Sequence, residues 1–107
     1  MARILYLTQI DIDPGAVRLL REECTRAGMR RPLVVTDAGV RAAGVLQMAL
    51  DALGDQPHAV FDGTPSNPTE AAVRCAVDLL RRENCDGLVA VGGGSSIDLA
   101  KAVAIAA

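Results

Sequence analysis

The run Gly92-Gly93-Gly94-Ser95-Ser96-Ile97-Asp98-Leu99-Ala100-Lys101 constrains this chain more than any other part of it. It follows five apolar residues, Gly87-Leu88-Val89-Ala90-Val91, and opens an Ala-rich stretch of helical character. A buried strand, a glycine turn and a helix form the arrangement by which α/β proteins present backbone N–H groups to an anion. Glycines let the backbone approach a phosphate with no Cβ in the way. The helix terminus adds unpaired N–H groups and about half a positive charge. Ser95 or Ser96 is suited to cap that terminus, and Asp98 stands three residues after Ser95, at capping-box spacing. A plain strand-to-helix turn usually needs one glycine, so three favour a bound phosphate or cofactor.

Neither of the two common glycine loops is present. The third glycine of the dinucleotide fingerprint is replaced by Ile97, and the motif follows the last strand rather than the first. A Walker A loop would end in Gly-Lys-Ser/Thr, which excludes that class of ATPase. A sugar- or lipid-kinase phosphate loop would want Gly-Gly-Asp-Gly, which is also missing.

The 107 residues suit one domain with one core. Half of them are apolar, yet only Tyr6 and Phe61 are aromatic, so the core must be aliphatic. A net charge of −2, with no basic run and no interleaved aromatics, gives no case for nucleic acid. Cys24, Cys75 and Cys85 are odd in number and far apart, which argues for reduced thiols rather than a disulfide framework or a zinc cluster. The chain shows no signal-peptide core and no stretch of the ~20 apolar residues a membrane span requires. We therefore expect a soluble, cytoplasmic protein with no membrane partner.

Periodicity predicts alternating strands and helices. Arg3–Thr8 reads as a strand and Ala16–Ala27 as a helix with Ala16, Leu19, Leu20, Cys24 and Ala27 inward. Pro32–Thr36 reads as a second strand, and Arg41–Leu53 as one helix burying Val45, Leu46, Ala49, Leu50 and Leu53. His58–Phe61 forms a third strand. A helix up to Glu83 then buries Ala72, Val73, Ala76, Val77 and Leu80, capped by Asn67 or by Thr69. Gly87–Val91 is the last strand, and the helix after the glycines runs to Ala107 without a stop signal. The alternation and the unbroken apolar strands predict an α/β fold, a Rossmann-like, mostly parallel sheet with helices on both faces. The unstopped last helix leads us to expect the N-terminal portion of a larger protein.

Ligands of open α/β sheets sit beyond the carboxyl ends of the strands. Three such ends carry polar or glycine residues: Thr36-Asp37, Asp62-Gly63 through Asn67, and Gly92 to Ser96. Asp37 and Asn67 each have an ordinary reading as turn or cap formers. Together the three ends describe one edge able to hold a dinucleotide.

The segments Arg31-Pro-Leu-Val-Val-Thr-Asp37, Phe61-Asp-Gly63, Pro65-Ser-Asn-Pro-Thr69 and Cys85-Asp-Gly87, followed by GGGSSIDLAK, resemble the N-terminal domain of the iron-containing (group III) alcohol dehydrogenase family. The resemblance runs over residues 15–107. It implies the fold of the dehydroquinate synthase-like and iron-containing alcohol dehydrogenase group, with residues 1–107 as an NAD(P)-binding α/β domain. By the same resemblance Asp37 contacts the adenosine ribose, Gly93, Gly94, Ser95 and Ser96 wrap the pyrophosphate, Asn67 lines the cleft, and Asp98 lies toward the nicotinamide. Lys101 looks like a structural member of the helix. The implied cofactor is NAD rather than NADP, because Asp37 would face a 2′-phosphate, although Arg41 nearby weakens that preference.

The family's metal, Fe2+ or Zn2+, is held by an Asp and several His of a helical C-terminal domain, which this chain lacks. One histidine, His58, makes no such site. The resemblance thus implies the cofactor half of a dehydrogenase acting on a small alcohol or aldehyde, inactive by itself and assembling as a homo-oligomer. The alternative is a non-catalytic nucleotide-binding or oligomerisation module. Two departures from the family stand out: only Gly15 remains of its Phe-Gly-x-Gly segment, and its metal ligands are missing, so no catalytic residue is expected in this chain.

Overall fold

The computed structural model describes residues 6–10, 18–65, 69–92 and 94–106. The element order is β1 (Tyr6–Ile10), α1 (Leu20–Ala27), β2 (Pro32–Val35), α2 (Ala38–Ala42), α3 (Val45–Leu53), β3 (Ala59–Phe61), α4 (Glu70–Arg82), β4 (Gly87–Val91) and α5 (Gly94–Ala106). The four strands form one sheet in the order β1-β4-β2-β3, and every pairing is parallel.

β2 and β4 are buried at every residue, which is why they read as unbroken apolar runs. The pleat sends alternate side chains to opposite faces. Val34, Val89 and Val91 join Leu20, Cys24, Val40, Leu46, Ala49 and Leu53 in one cluster, under α1, α2 and α3. Leu33, Val35, Leu88 and Ala90 join Ala76, Val77, Leu80, Leu99, Ala100 and Val103 in the other, under α4 and α5. Right-handed crossovers account for this division. The connections β1→β2 and β2→β3 run one way across the sheet and place α1–α3 on one face. The return from β3 to β4 places α4 on the other.

At the amino ends of the central strands, the Asp86 carboxylate accepts hydrogen bonds from Arg30 N (2.8 Å) and Arg31 N (2.9 Å). Asp86 N donates in turn to Arg31 O at 3.0 Å, which ties β2 and β4 together just below the ladder.

Three details differ from the sequence reading, and one choice it left open is decided. The helix expected over Arg41–Leu53 is two helices, broken at Ala43–Gly44, where Gly44 takes a left-handed φ of 83°. Val40 and Leu46 both belong to the core, yet six residues apart on one helix they would point about 120° away from each other. The break lets both face inward. Leu19, expected inward, is exposed at the N-cap of α1, where its carbonyl accepts from Glu23 N at 2.9 Å. Of the two caps offered for α4, Thr69 does the capping, its hydroxyl accepting from Ala72 N at 3.1 Å. Ser95 and Ser96 lie inside α5, which begins at Gly94, rather than at the cap position expected of them. Residues 3–5, 16–17 and 107 of the expected elements lie outside the described residues.

Candidate cofactor crevice

β2 and β4 are neighbours, yet the chain leaves them toward opposite faces. From β2 it turns through Thr36 and Asp37 into α2. From β4 it turns through Gly92 into α5 on the far face. The two exits part at the carboxyl edge of the sheet, the switch point at which open α/β sheets hold ligands. A cleft of ≈ 420 Å³ lies there, lined by Asp37, Ala38, Gly39, Thr64, Pro65 and Ser95. Two surface hollows elsewhere are larger, at ≈ 470 and 550 Å³, so topology rather than size marks this one.

Asp37 is positioned by its own backbone. Its Oδ1 accepts from Val40 N at 2.8 Å and so caps α2. The other oxygen turns to the glycine loop: a Cβ at Gly92 would lie 3.6 Å from Asp37 Oδ2, 3.5 Å from Ser96 Oγ and 3.0 Å from Val40 Cγ2. Gly92 has a φ of +136°, a conformation that L residues rarely adopt. Close packing and backbone together reserve this position for glycine. The cap reading and the ligand reading of Asp37 therefore use different oxygens of one carboxylate.

Gly94 presents the opposite situation. Among the described residues a Cβ there would meet nothing within 4 Å, so the first turn of α5 opens onto space that none of them fills. The N–H groups of that turn have no intrahelical acceptor, and no acidic residue occupies it. Beneath it, Ser96 is wholly buried and its Oγ has no hydrogen-bond partner among the described residues. Thr36 Oγ1, at the end of β2, is likewise buried and unpartnered among the described residues. Buried hydroxyls without partners are uncommon in folded proteins, and here both belong to the segments that leave the switch point. Open space over helix N–H groups, a carboxylate at the end of β2 and unpartnered hydroxyls fit a dinucleotide at this edge.

The structure thus brings Asp37 and Ser95 to one cleft, with Gly94 beside Ser95 and Ser96 beneath. Asp98 is exposed on α5, one turn beyond Gly94, and is not among the residues lining the cleft. Asn67 and Gly93 lie outside the described residues. Thr64 was missed as a site residue: it lines the cleft and its Oγ1 donates to Thr36 O at 2.7 Å, tying the loop after β3 to the end of β2. The signal available was a threonine after Asp62-Gly63, at the third strand end. Gly92 was read only as part of the motif, because its packing depends on Val40, far away in sequence.

Residues 8–107 match the family described as iron-containing alcohol dehydrogenase. The chain belongs to this family. It is 65% identical over its whole length to a 4-hydroxybutyrate dehydrogenase of Cupriavidus necator, of which it covers 28%. It is 40% identical over 98 residues to a 1,3-propanediol dehydrogenase of Klebsiella pneumoniae, covering 88% of this chain and 25% of that one. Among solved structures, a 1,3-propanediol oxidoreductase superposes with a TM-score of 0.77 at 34% identity, over 94% of this chain and 26% of the other. An NADH-dependent butanol dehydrogenase from Thermotoga maritima gives 0.77 at 27% identity, over 96% and 26%. The chain spans about a quarter of the length of these relatives. The α/β architecture expected from the sequence is the one these iron-containing dehydrogenases share.

The family's iron finds no fit here. No three His, Cys, Asp or Glu side chains gather into a metal-binding group among the described residues. His58, in particular, directs Nδ1 at Gln56 O, 2.8 Å away. No helix of the described residues is long and apolar enough to cross a membrane.

Proposed function

We propose that this chain is the NAD-binding part of a metal-dependent alcohol dehydrogenase acting on a small alcohol or aldehyde. One observation carries the reading: the chain leaves two adjacent strands toward opposite faces, and the crevice so formed holds Asp37 on one side and the open first turn of α5 on the other. The bound nicotinamide would supply the hydride acceptor or donor. The protein's part is to bind and orient. The N–H groups of the Gly94–Ser96 turn hold the pyrophosphate, with Gly93 and Ser95 in the same wrap. Asp37 Oδ2 takes the adenosine ribose hydroxyls while Oδ1 keeps the carboxylate fixed on α2. Asn67 lines the cleft, and Asp98 stands toward the nicotinamide.

The Fe2+ or Zn2+ that would polarise the alcohol belongs, in this proposal, to a helical domain outside residues 1–107. The 107-residue chain then binds cofactor without turning over alcohol. It also associates with itself.

Asp37→Gly tests the assignment of cofactor and site together. Glycine at a cap position costs only a few tenths of a kcal/mol relative to aspartate, so the fold survives the change. Removing the carboxylate should relax discrimination against NADP by about 1–3 kcal/mol, the scale of a like-charge contact that is partly solvated. Calorimetric titration of both cofactors reads this directly. An unchanged NAD-to-NADP ratio would reduce Asp37 to a helix cap.

A further inference from the structure

We propose that Thr64 is a positioning residue for the cofactor: its hydroxyl clamps the peptide between Thr36 and Asp37, so that the Asp37 carboxylate offers Oδ2 in one orientation. The proposal rests on the reading above that Asp37 takes the adenosine ribose, and adds what holds it there. The ladder between β2 and β4 ends at Val35 and Ala90, and Thr36 lies one residue beyond it. The hydrogen bonds that hold the Thr36 backbone come from the β3 side. Its N–H donates to Phe61 O at 2.8 Å, and its C=O accepts from Thr64 Oγ1 at 2.7 Å. Residues 61–64 thus close around Thr36. A Cβ on Gly63 would lie 3.2 Å from Phe61 Cζ, so the loop turns tightly over the Phe61 ring and returns Thr64 to the end of β2.

The carbonyl that Thr64 holds belongs to the peptide unit joining Thr36 to Asp37. That unit is planar, so fixing its oxygen also fixes its N–H and the direction in which the chain enters Asp37. At the far end of the residue, Asp37 Oδ1 accepts from Val40 N at 2.8 Å. One bond therefore sets the backbone of Asp37 and another its carboxylate, and Oδ2 is the oxygen left for a ligand. Thr36 is wholly buried and Thr64 is 9% exposed, so water has little access to replace a lost hydroxyl. A buried carbonyl without a donor is costly, and the freed peptide would turn to find one. That rotation would carry Asp37 with it. Binding groups depend on supporting hydrogen bonds of this kind, because a displacement of about 1 Å is enough to lose a contact.

Calorimetric titration of NAD and NADP into the wild type, Thr64→Val and Thr64→Ser tests the clamp. Valine keeps the branched shape without the hydroxyl, and serine keeps the hydroxyl. Thr64→Val should cut the preference for NAD over NADP by about fivefold, and Thr64→Ser should retain it. A residue that only supported the fold would weaken both cofactors in proportion. Amide exchange followed by NMR gives a second readout that needs no cofactor. The Val40 N–H, held by Asp37 Oδ1, should exchange faster in Thr64→Val and not in Thr64→Ser, while Val89 in β4 stays protected in all three proteins. An unchanged cofactor ratio in Thr64→Val, where Asp37→Gly does change it, would overturn the clamp and leave Asp37 at the ribose. Equal acceleration at Val40 and Val89 would also overturn it, since that marks a loss of global stability. A wild type that binds neither cofactor would refute the cofactor reading, and this role of Thr64 with it, even where Val40 still reports the clamp.

Discussion

Replacing Gly92 by alanine asks the turn after β4 to hold a side chain where the structure leaves no room and a backbone angle that disfavours one. Two terms set the loss. A non-glycine residue held at a φ of +136° carries strain of about 1–3 kcal/mol. The new methyl would also stand 3.0 Å from Cγ2 of Val40, a buried residue of the cluster beneath α2, and overpacking of this sort costs about 1–3 kcal/mol. Against these, alanine restricts the unfolded chain and returns about 0.4–1 kcal/mol. The net loss is about 3 kcal/mol, which at roughly 4–8 °C per kcal/mol lowers the melting midpoint by about 12–24 °C. Gly94→Ala, two residues on, should do the reverse. Its methyl enters open space on the first turn of a helix, and alanine is preferred to glycine there by up to about 1 kcal/mol. Thermal melts followed by far-UV circular dichroism compare the two. A Gly92→Ala variant within about 0.5 kcal/mol of wild type would show that neither the contact with Val40 nor the backbone angle shapes the crevice.

Two further outcomes follow from groups away from the crevice. Burial, with smaller contributions from Asp86 and Glu23, pushes the Cys24 thiol up from 9.0 to about 11. The folded state therefore favours the neutral thiol: the contribution is fully present below pH 9 and is lost as pH rises through 11. The melting midpoint should fall over that window, and Cys24→Ala should flatten this part of the profile. Asp86→Ala, just before β4, removes the acceptor for two backbone N–H groups, those of Arg30 and Arg31, at the amino end of β2. Water replaces part of what is lost at this half-exposed position, so urea titration should show a loss of about 1–2 kcal/mol, with Asp86→Asn keeping part of it.

The strands and the layer arrangement were legible because β2 and β4 are buried on both faces and so carry no polar residue to interrupt them. The helix faces of α3 and α4 were legible for the complementary reason: Leu46, Ala49 and Leu53, and then Ala76, Val77 and Leu80, keep helical spacing. The break at Gly44 was not, since it is forced by Val40 meeting the cluster around Val91, a contact between residues distant in sequence. The order of strands was hidden as well. Parallel crossovers fix a handedness but do not say that β4 inserts between β1 and β2. At the site, Asp37 and Ser95 were visible as polar residues at strand ends, whereas Thr64 and the packing role of Gly92 required the neighbours that the fold supplies.

The central claim, that the first turn of α5 holds the pyrophosphate of NAD, is tested most directly by calorimetric titration of NAD into the wild type and Gly94→Val. The substituted side chain grows into space that no atom of the described residues occupies within 4 Å of its Cβ, so the fold should persist and the melting midpoint should hold. A phosphate brought against the backbone there would meet the valine instead. The account predicts that wild type binds NAD and that Gly94→Val, equally folded, does not. Equal affinity in the two proteins would contradict it.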